Sequence, residues 1–157
     1  MIRATSGAIL GYANYISTQT QTAATINTAH PVRLESTAMN SGTVRLVDGT
    51  KIYFDNAGPY NLSFSLQVAS TNSSTQTIDV WVNHNGSPEP WTNTKINVLH
   101  GPNVAAWNIF GVASAGDYIQ VMWAASSTDV SLYAYPATDI HPGSPSAIVT
   151  INRLNQV

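Results

Sequence analysis

Strict alternation of apolar and polar residues is the feature that most limits how this chain can fold. From Leu62 to Val68 every second residue is apolar and the residues between them are polar. Because successive side chains of a β-strand point to opposite faces, this segment is predicted to be a half-buried strand. No segment has a convincing apolar stripe with the 3.6-residue period of a helix. The pattern therefore predicts an all-β protein.

Further strands are predicted wherever short apolar segments end at Gly, Pro, Asn or Asp. Residues 44–47 and 51–54 flank an Asp48–Gly49 turn, and residues 78–82 lead to an Asn85–Gly86 turn. The other predicted strands are residues 32–34, 95–99, 105–112, 118–123, 130–135 and 147–151. About eight to ten short strands separated by turns predict a jelly-roll sandwich of two antiparallel sheets.

The length of 157 residues fits one domain, which we place at residues 12–157. Residues 1–11 have mostly small side chains and two glycines, so they are predicted to be an N-terminal arm or tail. Residues 17–28 are rich in Thr, Gln and Ala, which is typical of an edge strand or an arm that reaches a neighbour. Neither a signal peptide nor an apolar stretch long enough to span a membrane is recognisable, so we expect synthesis in the cytoplasm and no membrane partner.

Charged residues are rare, and this excludes several classes of protein. Lys, Arg, Asp and Glu make up 9% of the chain, whereas Ser, Thr, Asn and Gln number 53. A typical domain carries about 25% charged residues. Six scattered cations argue against binding to nucleic acid, and a hydrophobic fraction of 43% argues against disorder. Without cysteine there are no disulfides and no thiolate metal ligands.

Catalytic and metal-binding patterns are missing from the sequence. The histidines, at positions 30, 84, 100 and 141, have no ligand-like spacing, and most lie beside Pro or Gly. There is neither a Gly-x-Ser-x-Gly motif nor a glycine-rich phosphate loop. The spacing of the few acids does not favour a carboxylate pair for glycoside hydrolysis. We therefore expect no enzymatic activity, no cofactor and no metal site.

Three aromatic residues are candidates for an outer contact. Trp91 follows Pro90 in a predicted loop, where it either stacks on a sugar ring or caps one end of the sandwich. Tyr133 and Tyr135 lie on the strand face opposite Leu132, away from the expected core. Two tyrosines on an outer sheet face are typical of an interface.

Several motifs resemble those of a known fold family. Residues 58–65, with Gly58, Tyr60 and Phe64, resemble the G-x-Y-x-x-x-F signature of the tumour-necrosis-factor and complement globular-head jelly roll. The Gly-Asp turn at residues 115–120 resembles the turn into a central strand of that fold. The chain is also similar to bacteriophage virion proteins built on this fold, through motifs at residues 18–22, 81–86, 93–95 and 145–150. These motifs occur in the same order from about Tyr12 to Asn155.

The resemblance implies a homotrimer, because subunits of this superfamily meet around a threefold axis. Carried over by position, the candidate interface residues are Tyr60, Phe64, Tyr118, Gln120 and Met122. For Phe64 and Met122, a place in the ordinary sandwich core is at least as good an interpretation.

The same resemblance implies a virion structural protein. The preferred role is a trimeric capsid decoration, or cement, protein that contacts the major capsid protein or another virion protein. The alternative is a tail-fibre or appendage module that recognises a glycan on the host surface. A glycan-modifying tail enzyme and a secreted trimeric ligand are less well supported, because carboxylate clusters, a signal peptide and cysteines are missing from the sequence.

Overall fold

The computed structural model describes residues 9–154 of the chain, and this part folds as two antiparallel β-sheets with no helix. In chain order the strands are β1 (Ile9–Ser17), β2 (Gln21–Thr22), β3 (His30–Pro31), β4 (Ser36–Asn40), β5 (Val44–Val47), β6 (Lys51–Phe54), β7 (Gly58–Ser70), β8 (Gln76–His84), β9 (Ser87–Pro88), β10 (Thr94–Val98), β11 (Gly101–Ala113), β12 (Tyr118–Ala125), β13 (Val130–Leu132) and β14 (Ala147–Leu154). None of these residues forms a helix that is long and apolar enough to cross a membrane.

The first sheet, called sheet A, is built around β7. Its strands pair in the order β11, β7, β14, β1 and β4. In addition, β13 pairs with the last residues of β7, and β2 pairs with β13. The second sheet, sheet B, has the order β10, β8, β12, β6 and β5, with β9 paired to β8 and β3 paired to β12. The predicted jelly-roll sandwich is confirmed.

The core fills the space between the two sheets. In β7, buried and half-buried residues alternate without interruption over thirteen positions, so one whole face of the strand lies in the core. The largest fully buried side chains include Leu66 from sheet A and Trp123 from sheet B. Burying an apolar side chain of this size contributes about 1.5–3 kcal/mol. The apolar alternation seen in the sequence is therefore the main source of stability.

Two predicted turns have the expected backbone geometry. Asp48 and Gly49 have φ angles of 53° and 64°, and Asn85 and Gly86 have φ angles of 48° and 85°. These left-handed conformations match the right-handed twist of the adjoining strands and suit Asn, Asp and Gly. The two predicted turns are thus confirmed, and they connect the hairpins β5–β6 and β8–β9.

The first forty residues differ from the prediction. Residues 32–34 are not a strand: Val32 and Leu34 are buried in a loop, where their amides donate to Val121 O and Gly49 O. Within residues 17–28 the only strand apart from the end of β1 is β2, and β1 and β4 were not predicted. Residues 1–8 of the predicted arm lie outside the described residues, and residues 9–11 belong to β1.

Candidate assembly and binding surfaces

The outward face of sheet A consists of cross-strand rows of uncharged side chains, most of them small or polar. The pairing register places Asn14, Thr150, Ser63 and Asn108 in one row across β1, β14, β7 and β11. The same register gives a second row of Ile16, Ile148, Ser65 and Ala106 and a third of Tyr12, Asn152, Asn61 and Phe110. The Asn108 side chain donates from Nδ2 to Ser63 Oγ at 2.9 Å. These rows form a continuous surface, which we call the sheet A face.

Charge is distributed unequally between the two sheets. Arg153 is the one charged residue in the described strands of sheet A. It is paired in register with Tyr60, which is buried, so Arg153 does not belong to the outward rows. The strands of sheet B carry Arg45, Lys51, Asp79 and Lys95. Depletion of charged residues is characteristic of the central part of protein interfaces. The sheet A face has this property.

Strand β11 is the edge of sheet A and is rich in exposed apolar residues. Among the described strands it pairs only with β7, although it is thirteen residues long. Val104, Phe110 and Val112 on its outward side are 53%, 70% and 73% exposed. A long apolar edge strand offers unpaired backbone groups and apolar surface to another chain, and proteins usually cover or interrupt such edges. We call these three residues and the free edge the β11 edge.

Tyr60 and Phe64, two of the predicted interface residues, lie in the core. Both belong to the inward-facing series of β7, and they are 4% and 3% exposed. The ring of Tyr60 lies 4.3 Å from that of Phe54, and its hydroxyl donates to Asn56 O at 2.6 Å. Burial raises the pKa of Tyr60; the charge of Arg153 opposes this rise, and the charge of Asp55 adds to it. Little of either side chain is left for contact with another subunit.

The other three predicted interface residues lie on sheet B. Tyr118, Gln120 and Met122 belong to the outward series of β12, so they are separated from β7 by the core. Tyr118 packs on Tyr53 at 5.0 Å, and Gln120 Nε2 donates to Thr50 Oγ1 at 3.2 Å.

Met122 is 7% exposed and is paired in register with Trp81 and Pro31. The five residues therefore do not form one continuous surface of the subunit, and their role in a trimer interface stays a prediction. The alternation places Tyr60 and Phe64 inward and places the other three on the opposite side of the sandwich.

The three candidate outer-contact residues are at two separate places. Trp91, in the loop between β9 and β10, is 99% exposed and has a φ of 65°. Tyr133 is 37% exposed and meets Tyr135 edge-on at 4.7 Å, just after β13. The pKa of Tyr135 is raised by burial and by the neighbouring Tyr133. A left-handed backbone is rare for a residue as bulky as Trp. Trp91 is thus the most unusual of the three.

Several clefts open on the surface of the described residues. One, of about 800 Å³, lies between residues 19–22 and the β5–β6 turn and includes Glu35 in its lining. Burial raises the pKa of Glu35, but hydrogen bonds from Ser17 and Thr18 outweigh that effect and lower the pKa overall. Trp91 lines two other clefts: one of about 300 Å³ beside Phe110 and Val112, and one of about 440 Å³ on the outer side of sheet B.

Titratable groups meet at one end of β8. His84 lies between two carboxylates, with Nδ1 at 3.5 Å from Glu89 Oε2 and Nε2 at 3.2 Å from Asp117 Oδ2. The pKa of Asp117 is lowered, first by the Asn85 side-chain amide and then by the Ser114 amide. Within residues 9–154 no three His, Asp or Glu side chains are arranged to hold a metal ion.

Comparison with known proteins identifies the fold. No protein-family model and no curated protein matches the chain. Among solved structures it is similar to murine APRIL, a tumour-necrosis-factor-family protein, at pH 5.0, with a TM-score of 0.61 and 10% identity. The APRIL structures at pH 8.0 and pH 8.5 match with TM-scores of 0.60 and 0.58, each at 11% identity. All three comparisons cover 91% of this chain and 98% of the other. The chain therefore has the jelly-roll fold of the tumour-necrosis-factor family.

Proposed function

We propose that this chain is a non-enzymatic structural subunit of a virion and that it assembles as a homotrimer through sheet A. The observation that carries the assembly is the sheet A face, which spans four strands without a charged side chain. Burying a charge without a partner costs several kcal/mol, whereas the Ser, Thr and Asn side chains of this face can exchange hydrogen bonds with a neighbour. The face is suited to permanent burial.

The β11 edge supplies the second half of the proposed contact. The β11 edge borders the sheet A face, since Phe110 belongs to both, but β7 and β14 separate it from the β1 side of that face. The β1 side of the sheet A face and the β11 edge are therefore different surfaces of the same subunit. Contact between two different surfaces is heterologous, and it closes into a ring when the rotation between subunits allows it. A ring would cover the apolar residues and the free edge of β11 in every subunit. Three subunits is the number implied by the family resemblance.

A place on the capsid is the preferred role for such a trimer. The ordered virion-type motifs along the sequence support a phage structural protein, and the low charge supports an assembly component. Short Ser, Thr and Asn side chains lose less entropy on burial than Lys or Glu, and uncharged contacts depend little on salt. We therefore propose a decoration protein that contacts the major capsid protein from outside the shell.

Copy number and location in the particle test this proposal. Cryo-electron microscopy of intact particles, with quantitative mass spectrometry of their proteins, should place trimers over the head in hundreds of copies. A few copies at the tail would contradict decoration and support the receptor-binding alternative. Absence of the protein from purified particles would contradict both virion roles.

Receptor binding is the second candidate because Trp91 is almost completely exposed on a fixed loop. A Trp side chain in water has no stabilising role in the isolated subunit, since exposed apolar surface gains nothing from the core. Contact with another molecule explains the exposure of the Trp91 side chain more readily. In this alternative the trimer is the tip of an appendage, and the host surface supplies the contact.

A further inference from the structure

We infer that the cleft between the β9–β10 loop and the outer side of sheet B binds a neutral saccharide. We call this cleft the Trp91 groove. The inference deepens the receptor-binding candidate and rests on it, because it gives that candidate a site and a ligand class. The groove is shallow and open to solvent, with a volume of about 440 Å³. Its lining consists of Asn27, Asp79, Trp81, Pro88, Glu89, Trp91, Asn93 and Ala124.

Two tryptophans give the groove its apolar surface. Trp81 belongs to the outward series of β8, and its Nε1 donates to Asn83 Oδ1 at 2.9 Å, which fixes the indole. Trp91 stands on the loop beside it and is 99% exposed. Sugar rings present patches of C–H groups on their faces, and an indole ring with its large apolar area and negative π-face is well suited to such patches.

Planar polar side chains surround the two rings. Asp79 Oδ1 accepts a hydrogen bond from Asn93 Nδ2 at 3.1 Å, and Asp79 Oδ2 lies 3.1 Å from Lys95 Nζ. Each carboxylate oxygen has a second lone pair, and the Asn93 amide retains a second N–H and its carbonyl oxygen. Glu89 adds a further acceptor to the lining. Neighbouring hydroxyls of a sugar both donate and accept, which matches this set.

The charge of the groove selects against acidic ligands. Asp79 and Glu89 line it, and no Lys or Arg does. Lys95 is paired with Asp79 and lies outside the lining. A carboxylated or phosphorylated glycan would therefore meet like charge, whereas a neutral glycan gains hydrogen bonds to the carboxylates without repulsion.

The loop that carries Trp91 is held in place by buried hydrogen bonds. Thr92 is 5% exposed, and its Oγ1 accepts from Val82 N at 3.1 Å and donates to Glu89 O at 2.8 Å. Glu89 N in turn donates to Val82 O at 2.8 Å. Trp91 is fixed between Pro90 and Thr92 with its left-handed φ of 65°. Such pre-organisation lowers the entropy lost on binding.

The position of the groove is compatible with assembly. It opens on the outer side of sheet B, across the core from the sheet A face. Trp91 also borders the cleft next to Phe110, so it stands between the groove and the β11 edge. The groove residues that lie on strands belong to β8, β9 and β12 of sheet B, and they are Asp79, Trp81, Pro88 and Ala124. A trimer formed through sheet A would thus present three outward-facing grooves.

An array of bacterial surface oligosaccharides tests the inference with the 157-residue chain. The array should include neutral oligosaccharides and oligosaccharides that carry carboxylate or phosphate groups. We expect binding to neutral members, with the affinity lowered at least about tenfold by Trp91→Ala and also lowered by Asp79→Ala. The matched controls are Ile140→Ala and Asp139→Ala, which change exposed residues in a loop outside the groove and should bind like the wild type.

Each result of the array has a distinct meaning. No binding to any neutral member, or binding to acidic members alone, would overturn the inference and weaken the receptor-binding candidate. Neutral binding that Trp91→Ala leaves unchanged would overturn the site while leaving receptor binding in place. Light scattering of the same variants reports the oligomeric state, so failure of the groove is distinguishable from failure of assembly through sheet A.

Discussion

Asn108 and Ser63 are joined across β11 and β7 on the outward face of sheet A, where Asn108 Nδ2 donates to Ser63 Oγ at 2.9 Å. The contact ties the apolar edge strand to the centre of the uncharged face. Both residues keep further hydrogen-bonding capacity, because Asn has a second N–H and a carbonyl oxygen and Ser has a hydroxyl proton. A neighbouring subunit can therefore form polar contacts with this row.

Phe110→Ser tests the β11 edge. Phe110 is 70% exposed, so its replacement should leave the stability of a single subunit nearly unchanged. If a neighbour buries the ring, the oligomer should dissociate at least about thirtyfold more readily, which corresponds to a loss of about 2 kcal/mol at a hot spot. Sedimentation equilibrium measures the dissociation. Ile140→Ser is the control at an apolar position that is even more exposed, at 93%, and equal dissociation constants for the two variants would contradict the assignment.

Phe64→Ala separates a core role from an interface role. Because Phe64 is 3% exposed between the sheets, its truncation should lower the free energy of unfolding by about 3–5 kcal/mol. Gln120→Ala, which removes a partly buried hydrogen bond to Thr50, should cost less than about 1.5 kcal/mol. Urea unfolding at one fixed protein concentration compares the two. A Phe64→Ala variant as stable as the wild type but altered in assembly would restore this residue to the interface.

Thr92→Val tests what holds the Trp91 loop. The substitution keeps the shape of the side chain but leaves the buried Val82 amide and the Glu89 carbonyl without their partner, at a cost of about 1–3 kcal/mol. Hydrogen exchange of the Val82 amide should become faster, while amides in the middle of β7 keep their protection if the loss is local. Unchanged exchange at Val82 would show that Thr92 does not fix this loop.

Acid should weaken the turn before β12. In the folded protein Asp117 accepts from Asn85 Nδ2 at 2.9 Å and from Ser114 N at 2.7 Å, and these bonds lower its pKa below the ordinary value of 3.8. The folded state therefore binds fewer protons than the unfolded state near that pH. The stability from Asp117 is fully present above pH 3.8 and is lost as the pH falls through the lowered pKa.

Urea unfolding between pH 5 and pH 2, a range that brackets the ordinary Asp pKa, measures this contribution. Wild-type stability should fall more steeply with acid than that of Asp117→Asn, whose side chain no longer titrates. Asp139→Asn changes an exposed loop residue and serves as the control. Parallel curves for the wild type and Asp117→Asn would mean that the contribution of Asp117 is negligible.

The sequence predicted the strands whose apolar alternation is strong and whose turns are local. β7 has a clear period of two, and the turns at Asp48–Gly49 and Asn85–Gly86 require only neighbouring residues. β4 was missed because its side chains are small or polar apart from Met39, and β1 was missed because small and polar residues interrupt its apolar ones. β1 pairs with β14, which is far away in the chain, and β4 pairs with β1. Long-range pairing is not visible in local periodicity.

The burial of Tyr60 and Phe64, two of the candidate interface residues, could be predicted from the sequence. Tyr60 and Phe64 have the same parity as Leu62 and Leu66, so the alternation that predicted the strand also assigned them to its buried face. In β11 the alternation does not show which side of the strand is buried, because Trp107 on one side and Phe110 on the other are both apolar. Which of them faces outward follows from the register with β7.

The Trp91 groove was only partly predictable. Trp91 was recognised as a loop aromatic, but its left-handed backbone and its position beside Trp81 depend on tertiary packing. Asp79 and Asn93 are fourteen residues apart and meet because β10 pairs with β8.

The molar mass of the 157-residue chain in solution, measured by light scattering after size exclusion, tests assembly through sheet A most directly. We expect a single species of about three times the chain mass of 16.8 kDa. Ser63→Arg, which places a charge in the middle of the sheet A face, should shift the protein to the monomer, and Asn97→Arg on the exposed side of β10 should not. A wild-type mass of 16.8 kDa, or a trimer that Ser63→Arg leaves intact, would contradict assembly through sheet A.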